Sequence, residues 1–122
     1  ALDIVARHPV EALVLVVVMP FYAAPGLFSV PDPAEVGRIF GEARRRLDGR
    51  QVLLGCARPP GLHKRAVDAY AVMAGLDGIA FPADGVVGVA RAIGRPFHQQ
   101  HACCSIQLGA EHAAGPSQTC AA

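Results

Sequence analysis

The chain has 122 residues, enough for one domain with a real core and too few for two. Hydrophobic residues make up 52% and charged residues 17%, which excludes a charge-rich disordered chain. Lys+Arg 11 against Asp+Glu 10 leave a formal charge of +1, and the only dense basic run is Arg44-Arg45-Arg46, which excludes a broad electrostatic footprint for nucleic acid.

The first strong signal is Ala12 to Met19 (ALVLVVVM). It is less than half of the roughly 20 residues that span a bilayer as a helix, so no membrane span is expected. Its β-branched residues Val14, Val16, Val17 and Val18 without polar alternation predict a strand covered on both faces of a parallel sheet, ended by Pro20. Asp3 and Glu11 precede the run and no small-residue cleavage site follows it, so it does not read as a signal peptide and a cytoplasmic protein is expected. The first residue is Ala1 instead of Met, which hints at a processed or truncated product.

After a Pro/Gly-rich loop from Ala23 to Pro31, Asp32-Pro33 with Glu35 supplies an N-cap, a first-turn proline and an N3 glutamate. They predict a helix over 33–47, with Val36, Ile39, Phe40, Ala43 and Leu47 on its apolar face and Asp48-Gly49 as its stop. Gln51 to Ala57 predicts a second buried strand, broken by Arg58-Pro59-Pro60-Gly61. A second helix over 62–74 follows, with Val67, Tyr70, Ala71 and Ala74 on one face and Gly75 as C-terminal cap. Gly78 to Pro82 predicts a third strand. A helix over 84–93 capped by Asp84 comes next, and then a fourth extended segment from Phe97 to Cys103.

This β-α-β-α-β-α-β order predicts an α/β fold with parallel strands and right-handed crossovers. The pattern predicts a single domain over 1–104 and, from its Ala, Gly, Ser and Gln, a flexible tail over 105–122. Two architectures fit: part of a (β/α) TIM-type barrel, which needs about 250 residues when whole, or a small open parallel sheet. In both, chemistry belongs at the carboxyl ends of the strands.

Those ends carry Cys56 and Arg58 after the second strand and Cys103-Cys104 after the fourth, so three thiols and a guanidinium are brought to one edge. Thiolates hold soft metals or iron-sulfur clusters, and arginine clamps carboxylate or phosphate through paired hydrogen bonds. Free cysteine is equally at home as a small buried hydrophobe. Adjacent Cys103 and Cys104 do not suit a disulfide with each other. His98 and His101 beside Cys103 and Cys104 are candidate zinc ligands, but their spacing matches no usual zinc pattern and an extended chain turns the two histidines to opposite faces. His8 and His63 read as lone surface histidines, Asp68 as a solvated helix residue. The sequence contains no GxGxxG, GxxxxGK[ST] or GxSxG, which removes the phosphate-loop and serine-hydrolase classes.

Leu54-Gly55-Cys56-Ala57-Arg58-Pro59, Gly61, His63-Lys64-Arg65, Asp68, Ala71, Ala74-Gly75, Gly78-Ile79-Ala80-Phe81-Pro82-Ala83 and Cys103-Cys104-Ser105 together resemble the C-terminal part of radical S-adenosylmethionine proteins. The likeness is to the two-component lipoyl synthase group and its biotin-synthase-like relatives. It spans Val52 to Ser105. The resemblance implies a barrel or partial barrel in which a [4Fe-4S] cluster reductively cleaves S-adenosylmethionine, and the resulting radical abstracts hydrogen from an unactivated carbon, with sulfur insertion to follow. It implies an auxiliary iron-sulfur cluster or a substrate sulfur near Cys56, Cys103 and Cys104, and a cofactor or substrate carboxylate near Arg58. It also implies a missing N-terminal half or partner subunit, and a small-molecule or lipoyl/acyl-carrier substrate. The chain lacks the family's CxxxCxxC loop, so the radical-generating cluster would be held elsewhere. The competing reading is a non-catalytic α/β binding or assembly module that docks through an open sheet edge and apolar faces.

Overall fold

The computed structural model describes residues 1–101. Its elements are α1 (Leu2–Ala6), β1 (Ala12–Leu15), a 3₁₀ turn at Pro20–Tyr22, α2 (Pro33–Arg46), β2 (Gln51–Leu54), α3 (Leu62–Ala74), β3 (Gly78–Ile79) and α4 (Val86–Ala92). The strands form one open, parallel sheet in the order β1-β2-β3. The expected parallel pairing of consecutive strands is therefore present, and the fold is a small α/β domain. A closed barrel is not part of it.

Register explains which side of the sheet is buried. Leu13 pairs with Val52 and Leu15 with Leu54, and Leu54 pairs with Ile79, so these residues share one face. Val36, Phe40, Ala43 and Leu47 from α2 and its C-cap pack on that face together with Val67 and Ala71 of α3. Leu2, Val5 and Ala6 of α1 and Ile79 of β3 join the same cluster. Ile79 also touches a smaller cluster of Val72, Val86 and Ala90, which seats α4. All four helices thus serve one side. Each fully buried large side chain, Phe40, Leu47, Leu54, Val52 and Val67, contributes about 1.5–3 kcal/mol through burial.

The helix boundaries follow the local chemistry. Asp32 caps α2, its Oδ1 accepting from the Ala34 N–H at 2.9 Å and the Glu35 N–H at 3.3 Å. Pro33 occupies the first turn, where a missing N–H costs nothing. Gly75 closes α3 with φ 84°, the left-handed conformation that a residue without Cβ adopts freely. Gly37 lets α2 approach α3 closely, since a Cβ there would lie 2.7 Å from the Tyr70 ring. At the amino end of the sheet, Asp77 Oδ2 accepts from the Val52 N–H at 2.8 Å and pairs with Arg44, so Arg44 of the basic run is a structural tie.

Several expectations are corrected. The Ala12 to Met19 run is not covered along its whole length on both faces: its strand is Ala12–Leu15, and Val14, Val16 and Val18 are exposed, because no helix among the described residues packs on their side, while Leu53, beside Val14 on the same face, is buried. Ile39 also lies outside the core, 44% exposed, as the stripe of α2 turns from Val36 to Phe40 and Ala43. α4 begins after Gly85 at φ 90° with no side-chain cap, so Asp84 does not cap it. β3 stops at Ile79, two residues before Phe81 turns the chain with φ 47°. α1 had no clear signal in the sequence. Residues 97–101 contain no strand, and the rest of the expected fourth segment lies outside the described residues, as does the expected tail at 105–122. No helix among the described residues is long and apolar enough to cross a membrane.

Candidate functional site

Because the strands are parallel, the loops after β1, β2 and β3 lie at one edge. The β2 loop is drawn across the sheet by backbone bonds that extend the ladder, Gly55 N–H to Leu15 O at 2.7 Å and Val17 N–H to Ala57 O at 2.9 Å. Gly55 lets the loop pass close to β1: a Cβ there would sit 2.8 Å from Cγ1 of Val16 and 3.1 Å from Cγ1 of Val14, so these side chains would have to move. Beyond it the chain turns Cys56 outward to solvent and Arg58 inward.

Arg58 organises this edge from inside. Its side chain and that of Asp68 are both 0% exposed. Nε donates to Asp68 Oδ1 at 2.6 Å and Nη2 to Asp68 Oδ2 at 3.0 Å, a forked pair. Nη1 donates to Gly55 O at 2.6 Å, and Nη2 also reaches Ala80 O at 2.8 Å and Phe81 O at 3.1 Å. Asp68 Oδ2 in turn accepts the Ala83 N–H at 2.7 Å. One ion pair therefore ties the loop after β2, the middle of α3 and the loop after β3. Phe81, held through its carbonyl, is the one non-glycine residue at positive φ among the described residues. Strain of that kind persists where surrounding contacts over-determine the backbone.

The expected ligand-binding role of Arg58 meets this geometry directly: its donors are directed at protein oxygens and its side chain has no exposed surface. Asp68 is not a solvated helix residue but the buried counter-ion. The signal was present in its spacing, since Ala71 and Val72, three and four residues on, are both buried on the same stripe. His63 is half-buried instead of exposed, with Nε2 2.8 Å from the carbonyl oxygen of Pro31; Nε2–H donates, and this fastens the loop before α2 to the start of α3. His8 is exposed as expected.

Cys56 is exposed at the carboxyl edge. Cys103 and Cys104, expected beside it, lie outside the described residues. His98 and His101 are exposed, and no group of three or more His, Cys, Asp or Glu side chains among the described residues could hold a metal ion. An iron-sulfur cluster takes three or four thiolates, so the described residues alone do not fit one. Compared with protein-family models, with curated proteins and with solved structures, the chain has no match.

Proposed function

We propose that this chain is one portion of a parallel α/β barrel enzyme of the radical S-adenosylmethionine kind, supplying barrel wall and mouth loops while its radical-generating centre is held by another segment or subunit. The observation that supports the reading is the winding: among the described residues, three consecutive parallel strands, no reversal of strand order, and helices on one side alone. A doubly wound sheet reverses direction and covers both faces, whereas a barrel winds one way and turns its bare face inward. The resemblance at Gly55-Cys56-Ala57-Arg58-Pro59 and Gly78 to Ala83 supplies the chemistry, and with it the sulfur-insertion type of reaction and a lipoyl- or biotin-like substrate class.

In this reading Arg58 and Asp68 are positioning residues that fix the two mouth loops, and Cys56 is the thiol this chain presents to the mouth. A [4Fe-4S] cluster with S-adenosylmethionine would supply the radical. No step is assigned to Cys56 through that group, because one described thiol does not make a cluster site. The test is the coding sequence contiguous with Ala1 and its neighbouring genes: an in-frame or adjacent CxxxCxxC loop on a βα-patterned segment supports the proposal. Its absence from both favours the second reading, a non-catalytic assembly module. That second reading draws on one observation, the inward, fully engaged guanidinium of Arg58, which leaves the edge without a free cationic group at that position.

A further inference from the structure

The loop after β3 is held in a conformation that its own residues disfavour. Phe81 has φ 47°, a left-handed backbone in which the Cβ of a bulky residue crowds the following carbonyl. Pro82 adds to this, because a residue before proline is biased to extended backbone with negative φ.

Packing does not hold the turn. Pro82, Asp84 and Gly85 are exposed, Phe81 and Ala83 only half-buried, and Phe81 belongs to neither apolar cluster of the described residues. What holds it is the ion pair. Arg58 Nη2 donates to the Phe81 carbonyl at 3.1 Å and Asp68 Oδ2 accepts the Ala83 N–H at 2.7 Å, so the chain is gripped on both sides of Pro82. Upstream, Ala80 is buried and donates its N–H to Leu54 O at 2.9 Å, which leaves Phe81 as the first residue able to turn. Downstream, α4 is a light load: it has seven residues, starts from Gly85 without a side-chain cap and buries only Val86 and Ala90.

We propose that Phe81 is a strain-loaded hinge: the Arg58–Asp68 pair latches residues 81–85 in one position, and opening the latch returns Phe81 to negative φ and carries the loop, with α4, to a second. The two positions differ at the carboxyl edge of the sheet, where the loops after all three strands lie. A ligand that touches this edge therefore sets the balance by the difference in its affinity for the two positions, and the stored strain lowers the difference needed. The inference stands on the Arg58–Asp68 geometry and requires neither the barrel reading nor radical chemistry.

The test is amide exchange on the full chain, with Phe81→Gly set against Phe81→Ala. Both remove the ring, but only alanine keeps a Cβ that is strained at φ 47°. The α4 amides are expected to exchange faster than those of α3, and about fivefold or more slower in Phe81→Gly than in Phe81→Ala. With Arg58→Met and Asp68→Leu together the loop is free to relax, and the ratio is expected to fall to one or reverse, since glycine then brings only its cost in chain entropy. Should that pair of changes not fold, Asp68→Asn, which keeps the size of the carboxylate, weakens the latch and is expected to shrink the ratio. An α4 indifferent to glycine or alanine at position 81, a ratio that survives the loss or weakening of the latch, or an α4 protected as strongly as α3 throughout overturns the proposal. None of these results bears on the CxxxCxxC test, so the two readings fail separately.

Discussion

Removing the Arg58 guanidinium would strand the Asp68 carboxylate in a site with no exposed side-chain surface and leave the Gly55 and Ala80 carbonyls without their donor. Breaking a buried pair from one side costs about 3–5 kcal/mol, so Arg58→Met is expected to lower unfolding stability in urea by that order. Arg58→Met combined with Asp68→Leu removes the orphan charge and is expected to lose less than the sum of the two single changes. Full additivity would sink the view that the two act as one unit. Gly37 is a steric counterpart. Gly37→Ala gains helix propensity but drives a Cβ against the fixed end of the Tyr70 ring, and a net loss of about 1–3 kcal/mol is expected in the same measurement.

Of the three helices that follow strands, α2 is the best specified and α4 the least. Asp32→Ala takes away both hydrogen bonds at the start of α2, and about 1 kcal/mol of stability should go with them, read as a shift of the urea midpoint with an unchanged slope. α4 has no side-chain cap, starts from Gly85 and buries Val86 and Ala90 in a cluster with Val72. β3 beside it has two residues. Amide exchange is therefore expected to be faster in α4 than in α3 or β2, whose residues fill the main cluster. Equal protection in α3 and α4 would show a single cooperative unit instead.

For the molecule as a whole, the prediction concerns what this chain lacks. A cluster that cleaves S-adenosylmethionine keeps one iron open for the cofactor, and the family that the chain resembles provides it through three closely spaced cysteines. The four cysteines here are Cys56, Cys103, Cys104 and Cys120, with no CxxxCxxC. After anaerobic iron-sulfur reconstitution with dithionite and S-adenosylmethionine, chromatography should detect no catalytic 5′-deoxyadenosine. Turnover by the chain alone would overturn the division of labour proposed above. Iron uptake that Cys56→Ser abolishes would support an auxiliary cluster.

Local chemistry alone determined much of this protein. The Asp32-Pro33-Glu35 cap and the Gly75 stop are interactions within a few residues and appear where the pattern predicts them, while the apolar runs at β1 and β2 mark where strands begin but not how far they extend, since only Ala12–Leu15 and Gln51–Leu54 are strand. The parallel order followed from helices placed between strands. Whether the Val14-Val16-Val18 face is covered is not legible, because a run buried on both sides and one exposed on one side have the same composition. Nor was the fate of Arg58: a guanidinium at a strand end reads as a ligand clamp until α3 brings Asp68, ten residues away, to 2.6 Å. Contacts between distant segments decide which polar groups are free for chemistry, and those contacts exist only once the helices have packed on one side of the sheet.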